Sequence, residues 1–261
     1  MSAVGGAESS VPDVADLTRV VALDGPAGSG KSTVARATAK ALGWRFVDTG
    51  ATYRAVTLQV LRAGVDLDDA QAVAAAAAQA VVELDIDPAE RGVRLNDEDV
   101  SAEIRGSAVT AAVSAVSAVP AVRQQLIVLQ RRLMGLEGAV VEGRDIATVV
   151  APRAAVKVYL DARPEVRARR RAGELAPVAA GEAADGPQVE GLSAEDLDRV
   201  KQSIQLRDEL DSRTNALAAT EGAVHLDTSE LTVEQVVARI VLLAEQAGVV
   251  EPRRPAEEGT L

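Results

Sequence analysis

VVALDGPAGSGKS, at residues 20–32, is the stretch that decides the fold. Its first half is a short apolar run, typical of a strand buried on both faces. Its second half, GPAGSGKS at 25–32, matches the phosphate-binding pattern GxxxxGK[ST] between a strand and a helix. Glycines at 25, 28 and 30 allow the backbone to turn successive N–H groups toward a phosphate, next to a helix N-terminus. The stretch therefore predicts an α/β fold with a phosphate-binding loop.

The residues of this loop have separate expected roles. Lys31 would reach the β- and γ-phosphate oxygens of ATP, and the Ser32 hydroxyl would ligate Mg²⁺, because a hard cation prefers oxygen ligands. The alternative is a glycine-rich turn without a ligand, which the flanking strand and helix patterns disfavour. The full set expected to contact ATP is Gly25, Pro26, Ala27, Gly28, Ser29, Gly30, Lys31, Ser32 and Thr33.

Strand and helix patterns continue to alternate beyond the loop. Residues 31–42 and 50–63 predict helices, and WRFVD at 44–48 predicts the strand between them. This order predicts a P-loop three-layer α/β sandwich with a parallel sheet. Further buried strands are expected at AVVEGRD (139–145), AVKVYLDA (155–162) and AVHLDT (223–228).

The pattern also predicts the domain organisation. We expect one α/β domain over residues 18–248 with an inserted subdomain at about 66–105, where an alanine-rich helix precedes two short strand patterns. A basic helix leads into a loop rich in Gly, Ala, Pro and acidic residues between Ala172 and Leu192, which is either disordered or a mobile cover of an active site. The ends, residues 1–17 and 249–261, lack periodicity and are expected to be disordered tails.

Composition narrows the classes of function. The 261 residues carry 28 Lys and Arg against 39 Asp and Glu, a net charge of −11, which disfavours nucleic-acid binding. No apolar run is long enough for a membrane span and the N-terminus has no signal pattern, so we expect no membrane partner. The absence of cysteine agrees with a reducing compartment, and we expect a cytoplasmic monomer.

Polar residues at two predicted strand ends are candidates for an acceptor site. DTGATYRAV (48–56) contains Tyr53 and Arg54, and EGRD (142–145) contains Arg144 and Asp145. Both segments follow strands on the carboxyl edge of the sheet, where ligands of open α/β folds bind. For each residue the alternative is an ordinary surface salt bridge.

Taken together, the motifs identify a resemblance. DGPAGSGKST, DTGATYRAV, LNDEDVSAEIR, VPAVRQQL, VEGRDIATVV and RDELDS, in this order, resemble the bacterial cytidylate kinase family from about Arg19 to Gln246. The resemblance implies that residues 18–248 are a P-loop nucleoside monophosphate kinase domain, with a core, a nucleoside-monophosphate-binding insertion at about 66–105 and a lid at about 165–195. It also implies transfer of the ATP γ-phosphoryl group to CMP or dCMP.

The resemblance assigns roles to residues. It implies that Ser114, Arg123 and Asp145 contact cytosine. Arg54 and Arg144 would hold the acceptor phosphate, with Thr49 and Tyr53 lining that site. Asp211 would bind the sugar hydroxyl. Arginines of the lid would cover the transferred phosphoryl group, and Arg207 would contribute from the next helix. Lys31, Arg144 and Arg170 would be catalytic, and the lid arginines would be Arg167, Arg169, Arg170 and Arg171, of which one or two are expected to be only solvated.

Three positions depart from the family pattern, and only one touches the chemistry. Ala147 replaces a common glycine, Ala151 a common aromatic residue, and Thr214 an arginine that binds phosphate in many members. Arg213, one residue earlier, could substitute by a local shift.

Two other functions stay open from the sequence. The chain could phosphorylate another small acceptor such as UMP, because only one base edge distinguishes uracil from cytosine. It could also be a nucleotide-dependent switch, although the NKxD pattern of guanine-specific switches is absent.

Overall fold

The computed structural model describes residues 12–175, 194–214 and 221–251. Its strands are β1 Val20–Asp24, β2 Arg45–Asp48, β3 Val82–Leu84, β4 Val93–Leu95, β5 Glu98–Asp99, β6 Ala139–Gly143, β7 Val156–Asp161 and β8 Val224–Asp227. Its α-helices are α1 Lys31–Leu42, α2 Thr49–Ala63, α3 Ala70–Ala77, α4 Ser107–Ala118, α5 Pro120–Met134, α6 Pro164–Leu175, α7 Ala194–Thr214 and α8 Val233–Gln246.

Five strands form a parallel sheet in the order β2-β6-β1-β7-β8. The central strand β1 is buried along its whole length, and its alternate side chains enter two different hydrophobic clusters. Val21 and Leu23 pack with α1 and α8, whereas Val20 and Ala22 pack with the end of α5 and the segment after β6. Helices thus cover both faces of the sheet, which confirms the predicted α/β sandwich.

The segment between α2 and α4 carries a small antiparallel sheet in the order β3-β4-β5. A tight turn at Asn96 and Asp97, both with positive φ, joins β4 to β5. This sheet and α3 share one hydrophobic cluster with α2, α4 and α5. The inserted segment is therefore packed against α2, α4 and α5, and the Phe46 amide donates to the Ile86 carbonyl (2.8 Å) to join it to β2.

Both predicted tails are ordered at their inner ends. Val14–Asp16 forms a 3₁₀ turn that Asp13 caps, and Leu17 is buried in the cluster around β1. Val249 and Val250 pack against the α1–α8 cluster. The disordered-tail prediction is wrong at these residues, because their apolar side chains pack against the core. Residues 1–11 and 252–261 of the predicted tails lie outside the described residues.

No single helix among the described residues is long and apolar enough to cross a membrane. The successive helices α4 and α5 reach such a length only together, and they are bent by 99°.

Candidate active site

The predicted phosphate-binding loop runs from the end of β1 to the start of α1 and is tightly enclosed. Gly25 has φ +148° and Gly28 has φ +75°. A Cβ at Gly25 would stand 2.0 Å from the Leu160 carbonyl oxygen, and one at Gly28 would stand 2.6 Å from the Arg167 carbonyl oxygen. The two glycines are therefore needed so that the loop can fit between β7 and α6.

Lys31 begins α1 and bends back over the loop. Its Nζ donates to the Pro26 carbonyl (2.7 Å) and lies 3.5 Å from Ser29 Oγ. Burial and the nearby positive charge of Arg144 lower the pKa of Lys31. The side chains of Ser32 and Thr33, in the same first turn, are exposed at the mouth of the loop. Lys31 therefore supplies the positive charge inside the loop, and Ser32 supplies a hydroxyl at its edge.

Glu142, at the carboxyl end of β6, is a site residue that the sequence did not single out. It is 4% exposed, and its Oε1 has no hydrogen-bond partner among the described residues. Burial and the neighbouring carboxylate of Asp48 raise the pKa of Glu142, while Lys31 and a hydrogen bond from Ser32 oppose this increase. A buried carboxylate oxygen beside Lys31 and Ser32 is suited to a cation.

A five-residue π-helical turn, Ile146–Val150, follows β6 and presents Asp145 at its start. Asp24, the buried last residue of β1, accepts the amides of Ile146 and Ala147, both at 2.8 Å. Asp145 in turn forms an ion pair with Arg123 of α5. Burial raises the pKa of Tyr53 to about 12, and the charges of Arg123 and Asp145 also act on it.

The structure thus brings together two of the three residues predicted to contact cytosine, with Tyr53 near them. Ser114, the third, lies half-buried on α4, and its carbonyl accepts the Ser117 hydroxyl (3.1 Å). The contact of Ser114 with the base stays a prediction.

Two residues predicted for the acceptor phosphate site contact protein atoms. Arg54 Nη1 donates to the Ile104 carbonyl (3.0 Å) and to Thr110 Oγ1 (2.9 Å), which joins α2 to α4. Thr49 is buried, and its hydroxyl donates to the Glu142 carbonyl (2.7 Å). In this structure Thr49 fixes the start of α2 against β6, and its contact with substrate stays a prediction.

Asp208 of α7 is the centre of a cluster that we call the Asp208 cluster: Asp208, Arg144, Arg167 and Ala27. Arg144 Nη1 lies 3.1 Å from Oδ1, and Arg167 Nη1 lies 2.5 Å from Oδ2. The Ala27 amide, within the phosphate-binding loop, donates to Oδ1 at 3.2 Å. The cluster joins the end of β6, α6 and the loop at one carboxylate.

Arg170 contacts the same loop at Ser29. It donates to the Ser29 carbonyl (3.2 Å) and to the hydroxyl and carbonyl of Thr228 (2.8 and 2.7 Å). The buried Thr228 hydroxyl also lies 3.2 Å from the Ser29 carbonyl oxygen and 3.0 Å from that of Asp161. Arg170 and Thr228 together connect the loop to the ends of β7 and β8.

The four lid arginines differ in their surroundings. Arg167 and Arg170, three residues apart on α6, face the loop, whereas Arg169 is exposed and Arg171 is half-buried. The side chains of Arg207, Asp211, Arg213 and Thr214 on α7 lie outside the described part of the chain, as do residues 176–193 of the predicted lid.

Four residues of the site were missed from the sequence: Asp24, Glu142, Asp208 and Thr228. Each of the first two is an acidic residue at the carboxyl end of a buried strand, which is a signal the sequence does contain. Asp208 and Thr228 lie 181 and 199 residues from their loop partners, and nothing local to them indicates such contacts.

Comparison with known proteins agrees with this geometry. The family model described as Cytidylate kinase matches residues 21–246. The chain is 51% identical to a cytidylate kinase of Mycolicibacterium paratuberculosis over 221 residues, 84% of this chain and 91% of the relative. It is 48% identical to a cytidylate kinase of Rhodococcus opacus, over 88% of this chain and 96% of the relative. A cytidylate kinase of Streptomyces avermitilis is 41% identical, over 92% of this chain and 96% of the relative. The chain therefore belongs to the cytidylate kinase family.

Proposed function

We propose that this protein transfers the γ-phosphoryl group of ATP to CMP or dCMP, forming CDP or dCDP and ADP. The observation that carries the proposal is the pairing of Arg123 with Asp145 at the same sheet edge as the phosphate-binding loop. Membership of the cytidylate kinase family supports it. Neither UMP phosphorylation nor a switch function is favoured by these relatives.

The Arg123–Asp145 pair matches the hydrogen-bonding edge of cytosine. Cytosine has acceptors at O2 and N3 and a donor at its exocyclic amine, which fit a guanidinium and a carboxylate respectively. Uracil presents an acceptor where cytosine presents the amine, so a carboxylate at Asp145 would face a second acceptor. In a poorly solvated site such an unpaired contact is costly. The pair therefore favours CMP over UMP.

Phosphoryl transfer to a nucleotide phosphate requires little from a general base. The acceptor is a phosphate monoester with a second pKa near 6, so it is already largely ionised at neutral pH. The barrier comes from repulsion between two anions and from in-line positioning. Lys31 in the loop and Arg144 at the end of β6 supply positive charge there. Arg170 would add its charge to the transferred group from α6.

The loop edge also fits Mg²⁺. The Ser32 hydroxyl and the buried Glu142 Oε1, which has no hydrogen-bond partner among the described residues, are oxygen ligands of the kind that Mg²⁺ prefers. The Ser32 side chain also hydrogen-bonds to Glu142, so the two groups are close together. Bound Mg²⁺ would neutralise charge on the β- and γ-phosphate oxygens. We propose that Ser32 and Glu142 hold the ion, directly or through water.

A panel of nucleoside monophosphates with Mg·ATP tests the function. The enzyme should release ADP much faster with CMP or dCMP as the acceptor than with UMP or AMP. Comparable rates with UMP or AMP would contradict the assignment as a cytidylate kinase. A switch would hydrolyse ATP without acceptor dependence.

Asp145→Asn tests the role of the base-binding pair. An amide offers both a donor and an acceptor, so the ratio of kcat/KM for CMP to that for UMP should become smaller, mainly because CMP is bound less tightly. The affinity for ATP should be nearly unchanged. Asp16→Asn, at an exposed position, is the matched control. If kcat/KM fell equally for CMP and UMP, Asp145 would act on phosphates or Mg²⁺ instead of the base. A cytoplasmic location and a monomeric state stay predictions.

A further inference from the structure

The donors of the Asp208 cluster are those of an anion-binding site, and the anion that they bind is a side chain of the protein itself. Three donors from three elements meet at one carboxylate: a guanidinium after β6, a guanidinium on α6 and a backbone amide of the phosphate-binding loop. Two of them share the same oxygen, Oδ1. Guanidinium groups and loop amides are the donors that proteins use to bind phosphoryl oxygens.

The Asp208 side chain is well shielded and negatively charged. It is 17% exposed, and its guanidinium partners Arg144 and Arg167 are each 15% exposed. Although burial acts to raise it, the hydrogen bond from Arg167 and the charge of Arg144 hold the pKa of Asp208 below its ordinary range. A carboxylate with this charge presents acceptor oxygens much as a phosphoryl group does.

We propose that Asp208 is an internal substitute for a phosphoryl group, and that a phosphate of bound nucleotide takes its place on Arg144 and on the Ala27 amide. This inference rests on the proposed binding of nucleotide phosphates by the loop. Asp208 is then a positioning residue: it orients the two arginines before nucleotide arrives and competes with the phosphate for them.

The contact with Ala27 argues for competition over a merely structural ion pair. An ion pair that only stabilised α6 against α7 would not need an amide of the phosphate-binding loop. While Asp208 accepts that amide, a phosphate oxygen cannot use it in the same direction. Replacement of the carboxylate therefore has to accompany full phosphate binding.

The surroundings leave room for the carboxylate to move. A cavity of about 340 Å³ lies between α6 and α7 and reaches Asp208, with Pro164, Lys201 and Ile204 among its lining residues. Asp208 lines this space, so its side chain has room to rotate into it, while Lys201 on the same lining is ion-paired with Glu165 at 3.3 Å. Release of Asp208 would also free α7 from the loop.

Binding of inorganic tripolyphosphate, measured by calorimetry on the full chain without CMP, tests the proposal. Asp208→Asn removes the competing charge and should tighten tripolyphosphate binding by roughly tenfold, the scale of one charge-assisted hydrogen bond. Asp208→Glu keeps the charge and should bind as the wild type does. Asp198→Asn, at an exposed position of the same helix, removes an equal charge and should change affinity little.

The result that overturns the proposal is unchanged or weaker tripolyphosphate binding by Asp208→Asn with the Asp198→Asn control intact. A structural role would give that result, because loss of an orienting contact cannot raise affinity. Should Asp208→Asn not fold, Asp208→Ala is measured in the same way with the same criterion. Failure of the proposed function is seen separately: a wild type that binds tripolyphosphate but does not phosphorylate CMP would refute the acceptor and leave this inference standing.

Discussion

Gly28→Ala is a direct test of the contact between the phosphate-binding loop and α6. Gly28 has φ +75°, and an added Cβ would lie 2.6 Å from the Arg167 carbonyl oxygen, where real Cβ atoms essentially never come within 3.0 Å. The loop and α6 must therefore separate by several tenths of an ångström. Gly43, which ends α1 with φ +67°, has nothing within 4 Å of an added Cβ. Gly43→Ala is thus a control with nearly the same backbone conformation and no steric conflict.

The free energies of unfolding of the two variants should differ only by the steric cost of the Cβ at residue 28. A left-handed conformation costs a residue other than glycine about 1–2 kcal/mol, and both variants include that cost. Overpacking adds roughly 1–3 kcal/mol to Gly28→Ala only. Urea unfolding should therefore show Gly28→Ala to be the less stable variant by that difference. Its turnover of CMP should also fall, because Arg167 and Arg170 move away with α6, whereas Gly43→Ala should turn over CMP normally. Equal stability and equal turnover of the two variants would refute the packing of α6 on the loop.

Three further predictions concern charged groups of the site. Lys31→Ala should reduce phosphoryl transfer by about a hundredfold or more with the far-ultraviolet spectrum unchanged, because alanine favours the helix while the charge at the phosphates is lost. Arg170→Ala should lower kcat more than it raises KM for CMP, since Arg170 contacts the loop and not the Arg123–Asp145 pair; a rise in KM alone would place it in the acceptor site. Without a bound cation, burial raises the pKa of Glu142 from its ordinary 4.5 to about 8. Between these values the folded chain keeps a proton that the unfolded chain has released, so the free energy of unfolding falls as pH rises through this window. Glu142→Gln should flatten that slope in urea unfolding, and an unchanged slope would show that Glu142 is ionised throughout.

Much of the fold could be predicted because its signals are local. The buried strand and the glycine pattern of the loop lie within residues 20–32, and helices α1 and α2 begin and end within a residue or so of their expected bounds. The turn at Asn96 and Asp97 also had a local signal, since both residue types tolerate positive φ, yet β5 was not predicted.

The rest of the site depends on contacts between distant parts of the chain. Asp145 was identified, but its ion pair with Arg123 requires that α5 pack beside the π-helical turn after β6. That turn has no sequence pattern of its own and is set by Asp24 accepting its first two amides. Arg144 was predicted to hold a phosphate, whereas its pairing with Asp208 of α7 could come only from the three-dimensional structure.

Thr228 has a consequence for the order in which the site can be completed during synthesis. Its hydroxyl lies against the Ser29 carbonyl across 199 residues of sequence, and it is also the partner that holds Arg170. A nascent chain that has emerged only as far as β7 has the whole loop motif but neither this support nor the neighbouring strand β8. The loop therefore reaches its final geometry only when the C-terminal part of the domain has left the ribosome. We therefore expect high affinity for nucleotide only once β8 has joined the sheet beside β7.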